Sequence, residues 1–257
     1  MTVKFTQLER SEQIRKQLLE QKEVSIEKLA LEFNVSQMTI RRDIEQLEAN
    51  GEAIRTHGGA TMARKLTFEF TFHDKQHLMA DAKQKIASFA SQIVKHGNDI
   101  FLDTGTTSLE IARKLIAKEN ITVITTSLAI VSELQFAGNI EVVLLGGYLR
   151  KGSPDLHGPL TEQNIDFLRA DIAFMGADAI DDKGNTYTDD LRVVNLDRKM
   201  AQNSKSVVIT ADSSKFDKTS MCKVFDSKDY DFIITDSKIT KKLLNSLHKN
   251  KIKVKIT

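Results

Sequence analysis

The sequence has one cysteine, no tryptophan and no apolar run approaching the ~20 residues that span a bilayer. A single Cys222 cannot close an internal disulfide, and the opening stretch MTVKFTQLERSEQ lacks the apolar core of a secretory signal. Both features predict a reducing, cytoplasmic setting and no membrane partner. One Cys and six scattered His offer no paired ligands at zinc-site spacing, so no metal and no resident cofactor are expected. An excess of one charge is missing too. With 37 Lys and Arg against 35 Asp and Glu, any basic surface must be local. No low-complexity tract and no fixed-period repeat is present, while an apolar share of 40% over 257 residues is enough to bury a core. That length fits one large domain or a small one joined to a medium one.

What is present is ordered. From Gln7 to about Gly59 the pattern predicts three helices and a hairpin. Ile14 and Leu18 stand four apart on the first helix. On the second, Ile26, Leu29, Ala30 and Phe33 keep the helical i, i+3, i+4, i+7 spacing behind Ser25 as an N-cap. Asn34-Val35 connects tightly to Ser36, which caps the third helix, and Asn50-Gly51 ends it. The short alternating stretch AIRTH, running into Gly58-Gly59, predicts a β wing.

The third helix, SQMTIRRDIEQLEANG from its cap onward, has two unlike sides. With Ile40 as reference and about 100° per residue, Ile44 lies at about 40° and Leu47 at about 340°. Met38, Glu45 and Arg42 fall between about 140° and 200°, and Arg41 at about 100°. A helix pinned by three apolar residues therefore turns Met38, Arg41 and Arg42 outward, with Ser36, Gln37 and Thr39 at the amino end that suits phosphate contact. Asp43, at about 300°, borders the apolar side and is expected to hold a basic group or a cap within the domain. An isolated arginine pair is commonly only a solvated face, and residues 1–65 carry 11 basic against 10 acidic groups, so charge alone decides little. The order of helix, short turn, capped helix and wing is what points to a recognition helix, whose diameter fits the major groove and whose arginines can fork onto guanine edges or phosphates.

The stretch Leu29 to Ala60, with VSQMTIRRDIEQLEANG and then RTHGGA, resembles the amino-terminal winged helix of DeoR-type bacterial transcription regulators. Their Ser-x-x-Thr-hydrophobic-Arg-Arg-Asp string is matched position for position by Ser36, Thr39, Ile40, Arg41, Arg42 and Asp43. The resemblance implies that this helix enters the major groove and that Arg55 and His57 of the wing touch the backbone. For His57 a purely structural role beside Gly58-Gly59 is an equal alternative.

Residues 61–74 show no clear period and read as a linker between a winged helix-turn-helix domain (1–60) and a second domain (75–257), whose first helix is expected from roughly Asp74 to His96. Beyond it, the strand-like runs DIFLD, ITVIT, EVVLLGG, DIAFMGAD, KSVVITAD and DFIITD alternate with helical stretches. This is the pattern of a mostly parallel α/β sheet, with ligands at the carboxyl ends of its strands. In IFLDTGTTSLEIARKL, Gly105 permits close backbone approach, Thr106, Thr107 and Ser108 offer hydroxyls, and the following helix presents its positive end. One such turn alone would read as a capped strand-to-helix connection. Similar polar turns recur at Thr125-Thr126-Ser127, Gly146-Gly147, Gly176-Ala177-Asp178 and Asp212-Ser213-Ser214-Lys215, so five strand ends could converge on one pocket. Lys215 would serve there as a point charge for a phosphate, or is simply solvated.

These segments, roughly residues 75 to 237, resemble the sensor domain of the same family, itself related to ribose-5-phosphate isomerase. The resemblance implies a phosphorylated-sugar effector held by Asp103, Gly105, Thr106 and Thr107 of the first turn, Thr125 and Ser127 of the second, Gly146 and Gly147 of the third, and Asp178 and Lys215 of the last two. The run GADAIDDKGNTYTDDLRVVNLDRKM followed by ADSSKF resembles most the branch that handles amino-sugar and sugar-acid regulons. Where many members carry a Glu-x-x-x-Lys-like pattern, this chain has Leu191-Arg192-Val193-Val194-Asn195. GADAID also resembles the isomerase's Gly-Ala-Asp-x-Ile-Asp, with Asp178 and Asp181 as candidate acid-base carboxylates, but the enzyme's Lys-Gly-Gly-Gly stretch has no counterpart. The expectation is a sugar-phosphate-responsive repressor of a carbohydrate operon, binding double-stranded DNA as a homodimer or tetramer, without catalytic residues. The competing classes are an isomerase-like enzyme with a DNA-binding appendage and a scaffold whose winged helix binds protein.

Overall fold

The helices of the amino-terminal part follow its apolar spacing. In the computed structural model, which describes residues 5–21, 23–49, 52–62 and 72–257, α1 (Gln7–Gln21) buries Ile14 and Leu18, and α2 (Ile26–Glu32), after the short strand β1 (Glu23–Ser25), buries Leu29 and Ala30. Asn34 takes the left-handed turn at φ 51°, and α3 (Gln37–Ala49) begins behind Ser36, whose Oγ accepts the Thr39 amide proton at 3.2 Å. Strands β2 (Ala53–Arg55) and β3 (Gly59–Met62) close an antiparallel sheet in the order β1-β3-β2. A Cβ at Gly59 would lie 1.8 Å from the Val24 carbonyl oxygen, so only glycine lets β3 approach β1. Truncating a fully buried side chain of this small core, Leu47 for instance, costs about 2–5 kcal/mol. The Asn50-Gly51 stop and most of the 61–74 linker lie outside the described residues. The chain divides into two compact units, Met1–Phe68 and Glu69–Thr257.

The second unit begins its described part with a correction. The single helix expected from Asp74 to His96 is two, α4 (Phe72–His77) and α5 (Ala80–Ile93), separated by Met79 at φ 55°. In an unbroken helix the Lys75 carbonyl would accept the Met79 amide proton. Here the Lys83 ammonium donates to that carbonyl instead. The later end also falls short, because Val94 is extended and the Lys95 amide donates to Asn98 Oδ1.

The alternation then runs through β4 (Asp99–Leu102), α6 (Thr106–Leu115), β5 (Ile121–Thr125), α7 (Leu128–Leu134) and β6 (Ile140–Leu144). A small hairpin follows, β7 (Tyr148–Leu149) with β8 (Leu156–His157), and then α8 (Pro159–Asp166) and β9 (Ala170–Met175). Next come β10 (Ala179–Ile180), β11 (Thr186–Thr188), α9 (Leu191–Gln202), β12 (Ser204–Thr210) and β13 (Cys222–Phe225). The chain ends with β14 (Phe232–Thr235), α10 (Lys241–Lys249) and β15 (Val254–Ile256). Seven strands form one wholly parallel sheet in the order β15-β14-β12-β9-β4-β5-β6, and β10-β11-β13 form a separate antiparallel one.

Alternate residues of each central strand enter opposite cores, as a two-residue period requires: on β4, Ile100 and Leu102 join Ile86, Leu109 and Ile111, whereas Phe101 joins Met175, Ile209 and Val194. From β4 the chain winds outward to β5 and β6, returns to β9 on the other side of β4, and continues to β12, β14 and β15. The winding direction therefore reverses between β4 and β9, where a crevice opens outside the carboxyl ends of both strands. Among the described residues no helix is long and apolar enough to cross a membrane.

Candidate functional site

On α3 the inward side is fully used. Ile40, Ile44 and Leu47 are buried in one cluster with Leu29, Phe33 and Ala53. Asp43 beside them is buried and accepts from Arg10 Nε at 2.8 Å, while Arg10 Nη1 donates to the Phe5 carbonyl at 3.0 Å. Asp43 therefore has the structural role its position on the helix suggested, locking α1 to α3.

The outward side of α3 is exposed. Arg41 and Arg42 are exposed, and neither guanidinium makes a hydrogen bond or ion pair with a described residue. Ser36, Gln37 and Met38 are exposed as well, and Thr39 is half-buried, its hydroxyl 2.9 Å from Ser36 Oγ. Arg55 of the wing is held over this helix by Glu45, Nη1 to Oε1 at 3.0 Å with both side chains about half exposed. Such a pair contributes at most about 1 kcal/mol in water, so a phosphate can replace Glu45 at little cost. His57 is exposed in the turn between β2 and β3. No described hydrogen bond ties it to α3.

In the second unit a cavity of about 160 Å3 lies at the switch between β4 and β9. Six of the ten residues expected there line it: Asp103, Gly105, Thr106, Thr107, Asp178 and Lys215. The other four do not. Thr125 and Ser127 are buried in local roles, the Thr125 hydroxyl accepting the Ser127 amide proton and Ser127 Oγ capping α7 at Ile130. The Gly146 carbonyl accepts from the Thr161 hydroxyl at 2.8 Å, and a Cβ on Gly147 would collide with Thr161 and with the His157 carbonyl. Those polar strand ends on the β5–β6 side hold the hairpin and α8, outside the lining of this cavity.

Asp103 joins the two strands that bound the crevice. Its Oδ1 accepts the Thr104 amide proton at 2.6 Å and its Oδ2 that of Gly176 at 2.8 Å, where a Cβ would meet the carboxylate. Burial pushes its carboxyl above the ordinary aspartate range despite these two donors. Behind it, α6 starts at Gly105 with no side-chain cap, leaving its first-turn amides toward the cavity. The Ser108 hydroxyl is completely buried there and has no hydrogen-bond partner among the described residues. Asp178 accepts from Lys75 at 3.1 Å, from the Thr188 hydroxyl at 3.1 Å and from the Asp189 amide at 3.3 Å. Burial would raise its carboxyl, but the Lys75 and Lys215 ammonium groups outweigh that and hold it below the usual range.

The sequence reading missed Lys75, Lys83, Arg150 and Asp197, which also line the cavity. Lys83 is buried, and its burial lowers its pKa to about 8 even though Asp212 opposes the shift. A signal for it exists: Lys83 precedes Ile86, Ala87 and Ala90 at helical spacing, a lysine inside the buried stripe of α5. Arg150 is presented by the β7–β8 hairpin, bidentate on Asp155 at 2.9 and 3.0 Å and bonded to Asp190 at 3.1 Å. Hairpin and α9 are thereby fastened together beside the crevice. No strand-end pattern marks that arginine. Asp181, the second carboxylate of the GADAID comparison, is not part of the cavity lining. It accepts from the Lys183 and Asn185 amides and from the Tyr187 hydroxyl, shaping the β10–β11 turn. Among the described residues no group of three or more His, Cys, Asp and Glu is placed to hold a metal ion.

Residues 10–65 match the model of the DeoR-like helix-turn-helix domain, and residues 78–237 that of the DeoR C terminal sensor domain. The chain is 33% identical over 248 residues, 96% of its own length and 92% of the relative's, to a protein of Escherichia coli O157:H7 that carries the name aga operon transcriptional repressor. It is 29% identical to the glycerol-3-phosphate regulon repressor of Escherichia coli (strain K12), covering 83% of this chain and 84% of that one. To the HTH-type transcriptional regulator GolR of Listeria innocua it is 31% identical, over 96% and 98% of the two chains. Among solved structures, ribose 5-phosphate isomerase A from Methanocaldococcus jannaschii is similar over 53% of this chain and 54% of its own, with 24% identity and a TM-score of 0.40. The exposed arginine helix in one unit, the crevice in the other and the two matched models agree: the chain belongs to the DeoR family and is a DNA-binding transcription regulator, not an enzyme.

Proposed function

We propose that this regulator is a cytoplasmic repressor of a carbohydrate-utilisation operon, that it binds double-stranded operator DNA as a homodimer or tetramer, and that a phosphorylated sugar filling the β4–β9 cavity releases it, with no cofactor involved. The observation that carries the effector reading is the anion-seeking end of the cavity. The start of α6, which has no side-chain cap, the buried Lys83 and the Lys215 ammonium, which has no hydrogen bond to a described residue, border the same space. Relatives named for an aga operon and for a glycerol-3-phosphate regulon support the choice of a sugar or polyol phosphate. On the DNA side, Ser36, Gln37, Met38, Thr39, Arg41 and Arg42 read the major groove while Arg55 and His57 contact the backbone.

The effector acts only if it binds the DNA-released arrangement better than the DNA-bound one, and a difference of ~1–3 kcal/mol changes operator occupancy about 5- to 150-fold. The test is a thermal-shift screen of phosphorylated sugars against the full chain, followed by operator titration with the hits. A hit should raise the melting temperature, weaken operator binding and lose its effect in Thr106→Ala. Ligands that stabilise the protein yet leave DNA affinity untouched would contradict the proposal.

A further inference from the structure

Nothing in the local sequence calls for the break between α4 and α5. The stretch FHDKQHLMADAKQKIASFASQI, from Phe72 to Ile93, contains no glycine and no proline. The residue at the break is Met79, whose side chain disfavours its left-handed φ of 55°, and α5 starts there without a side-chain cap. Local preference favours one joined helix, so what holds the two apart is tertiary. Two contacts of Lys75 do this. Its carbonyl accepts from the Lys83 ammonium, in the place that the Met79 amide would take in a joined helix. Its own ammonium donates to Asp178, beyond the carboxyl end of β9, at 3.1 Å. Lys75, Met79, Lys83 and Asp178 all line the β4–β9 cavity, so the break is held from within the candidate effector site. In sequence α4 is also the first described element after the head, and the chain passes from β3 to it through residues 63–71.

We infer that the α4–α5 break is the switch through which the effector acts on DNA binding: a filled cavity holds the broken arrangement, and α4 joined to α5 as one helix accompanies operator binding. The inference rests on the effector reading above and adds the part that moves. An ammonium carries three protons, so Lys83 can donate to the Lys75 carbonyl and to an anion in the cavity at once. The anion keeps the ammonium in place, and the carbonyl stays taken. Without the anion a buried charge has less to hold it, and the Met79 amide can return to the Lys75 carbonyl. Joining continues α5 backward through residues 78 and 79 and redirects α4, which moves the point where residues 63–71 enter the sensor.

The experiment varies the break without touching either lysine. Met79→Gly removes the penalty on the left-handed conformation and weakens a joined helix, whereas the β-branched Met79→Val raises that penalty. Met79→Ala removes the same side chain but keeps the Cβ and with it the penalty. Each full chain is titrated with operator DNA, selected in vitro by wild type, in the absence of ligand, and separately with inorganic phosphate by calorimetry. M79G should bind operator roughly fivefold more weakly than wild type and phosphate roughly fivefold more tightly. M79V should shift both affinities the opposite way, and M79A should not follow M79G. Equal losses of operator binding in M79G and M79A, or operator affinities that move in neither M79G nor M79V, or in the same direction in both, would each overturn the switch and leave the effector reading standing. Operator affinities that move while phosphate binds every variant alike would overturn the coupling. Phosphate that binds none of the proteins would overturn the effector reading, and this inference with it. Melting curves check the fold of every variant; if M79V does not fold, the contrast between M79G and M79A decides alone.

Discussion

The two units treat their cations in opposite ways. Arg41 and Arg42 on α3 stand in solvent with no partner among the described residues, on a helix held rigid from behind by Ile40, Ile44, Leu47 and the Arg10–Asp43 pair. In the sensor the cations are withdrawn: Arg150 is buried in a fork of Asp155 and Asp190, and Lys83 is buried with its pKa lowered to about 8. DNA is large and brings its own field, so a reading surface needs only exposed guanidinium groups on a stiff support. A small effector must be surrounded, and groups charged inside a cavity carry a desolvation cost that the proposed anion would offset. The difference implies that damage to the head appears as lost DNA binding, whereas changes in the cavity appear as altered coupling and pH dependence.

The largest effect that separates the two units is expected from Arg10→Ala. It leaves Asp43 buried without its partner and should destabilise the head by about 3–5 kcal/mol. Chemical denaturation should then show an early transition that abolishes DNA binding, with phosphate binding by the sensor unchanged. A smaller effect without any loss of stability is expected from Arg41→Ala or Arg42→Ala, each weakening specific DNA binding by ~1–3 kcal/mol if its fork reads a base.

Lys83 sharpens the contrast through pH. Its pKa in the folded state lies below the unfolded value, so its charge opposes folding at neutral pH, and that cost disappears as pH rises from about 8 toward the unfolded value. Lys83→Met should therefore raise the melting point of the unliganded sensor at pH 7. Binding of an anion requires the ammonium, so effector affinity in wild type should fall as pH rises above about 8, by up to about tenfold per unit, and titrations from pH 7 to 9.5 should show this slope vanish in K83M. The smallest effect belongs to the wing: Arg55→Ala should weaken DNA binding by less than about 1 kcal/mol and lower the salt slope by about one, independently of sequence.

Much of this was legible before the structure, and unevenly so. The head was readable because its signals are local: a cap, a stripe of three apolar residues and a stop all lie within sixteen residues of one another. Six sheet strands were readable as apolar runs, but the edge strand Val254–Ile256, the β7–β8 hairpin and the antiparallel β10–β11–β13 sheet are too short and too polar to stand out. For the cavity, the turn after β4 was found because glycine and hydroxyls follow an apolar run. Thr125, Ser127, Gly146 and Gly147 carry the same signal yet are used for capping and close packing, since strand-end composition does not say on which side of the switch a strand lies. Lys75, Lys83, Arg150 and Asp197 reach the cavity from helices and a hairpin, through contacts far apart in sequence. The helix break at Met79 is of the same kind, since the carbonyl it leaves at Lys75 is met by the Lys83 ammonium eight residues on.

The central claim is that two solvent-exposed guanidinium groups on α3 read the operator. Its most direct measurement is a titration of operator DNA, selected in vitro by the wild-type chain, with wild type, R41A and R42A, alongside their unfolding curves. The account predicts that each variant loses roughly 5- to 150-fold in affinity for the selected sequence while unfolding as wild type does. Undiminished affinity in both variants would contradict it.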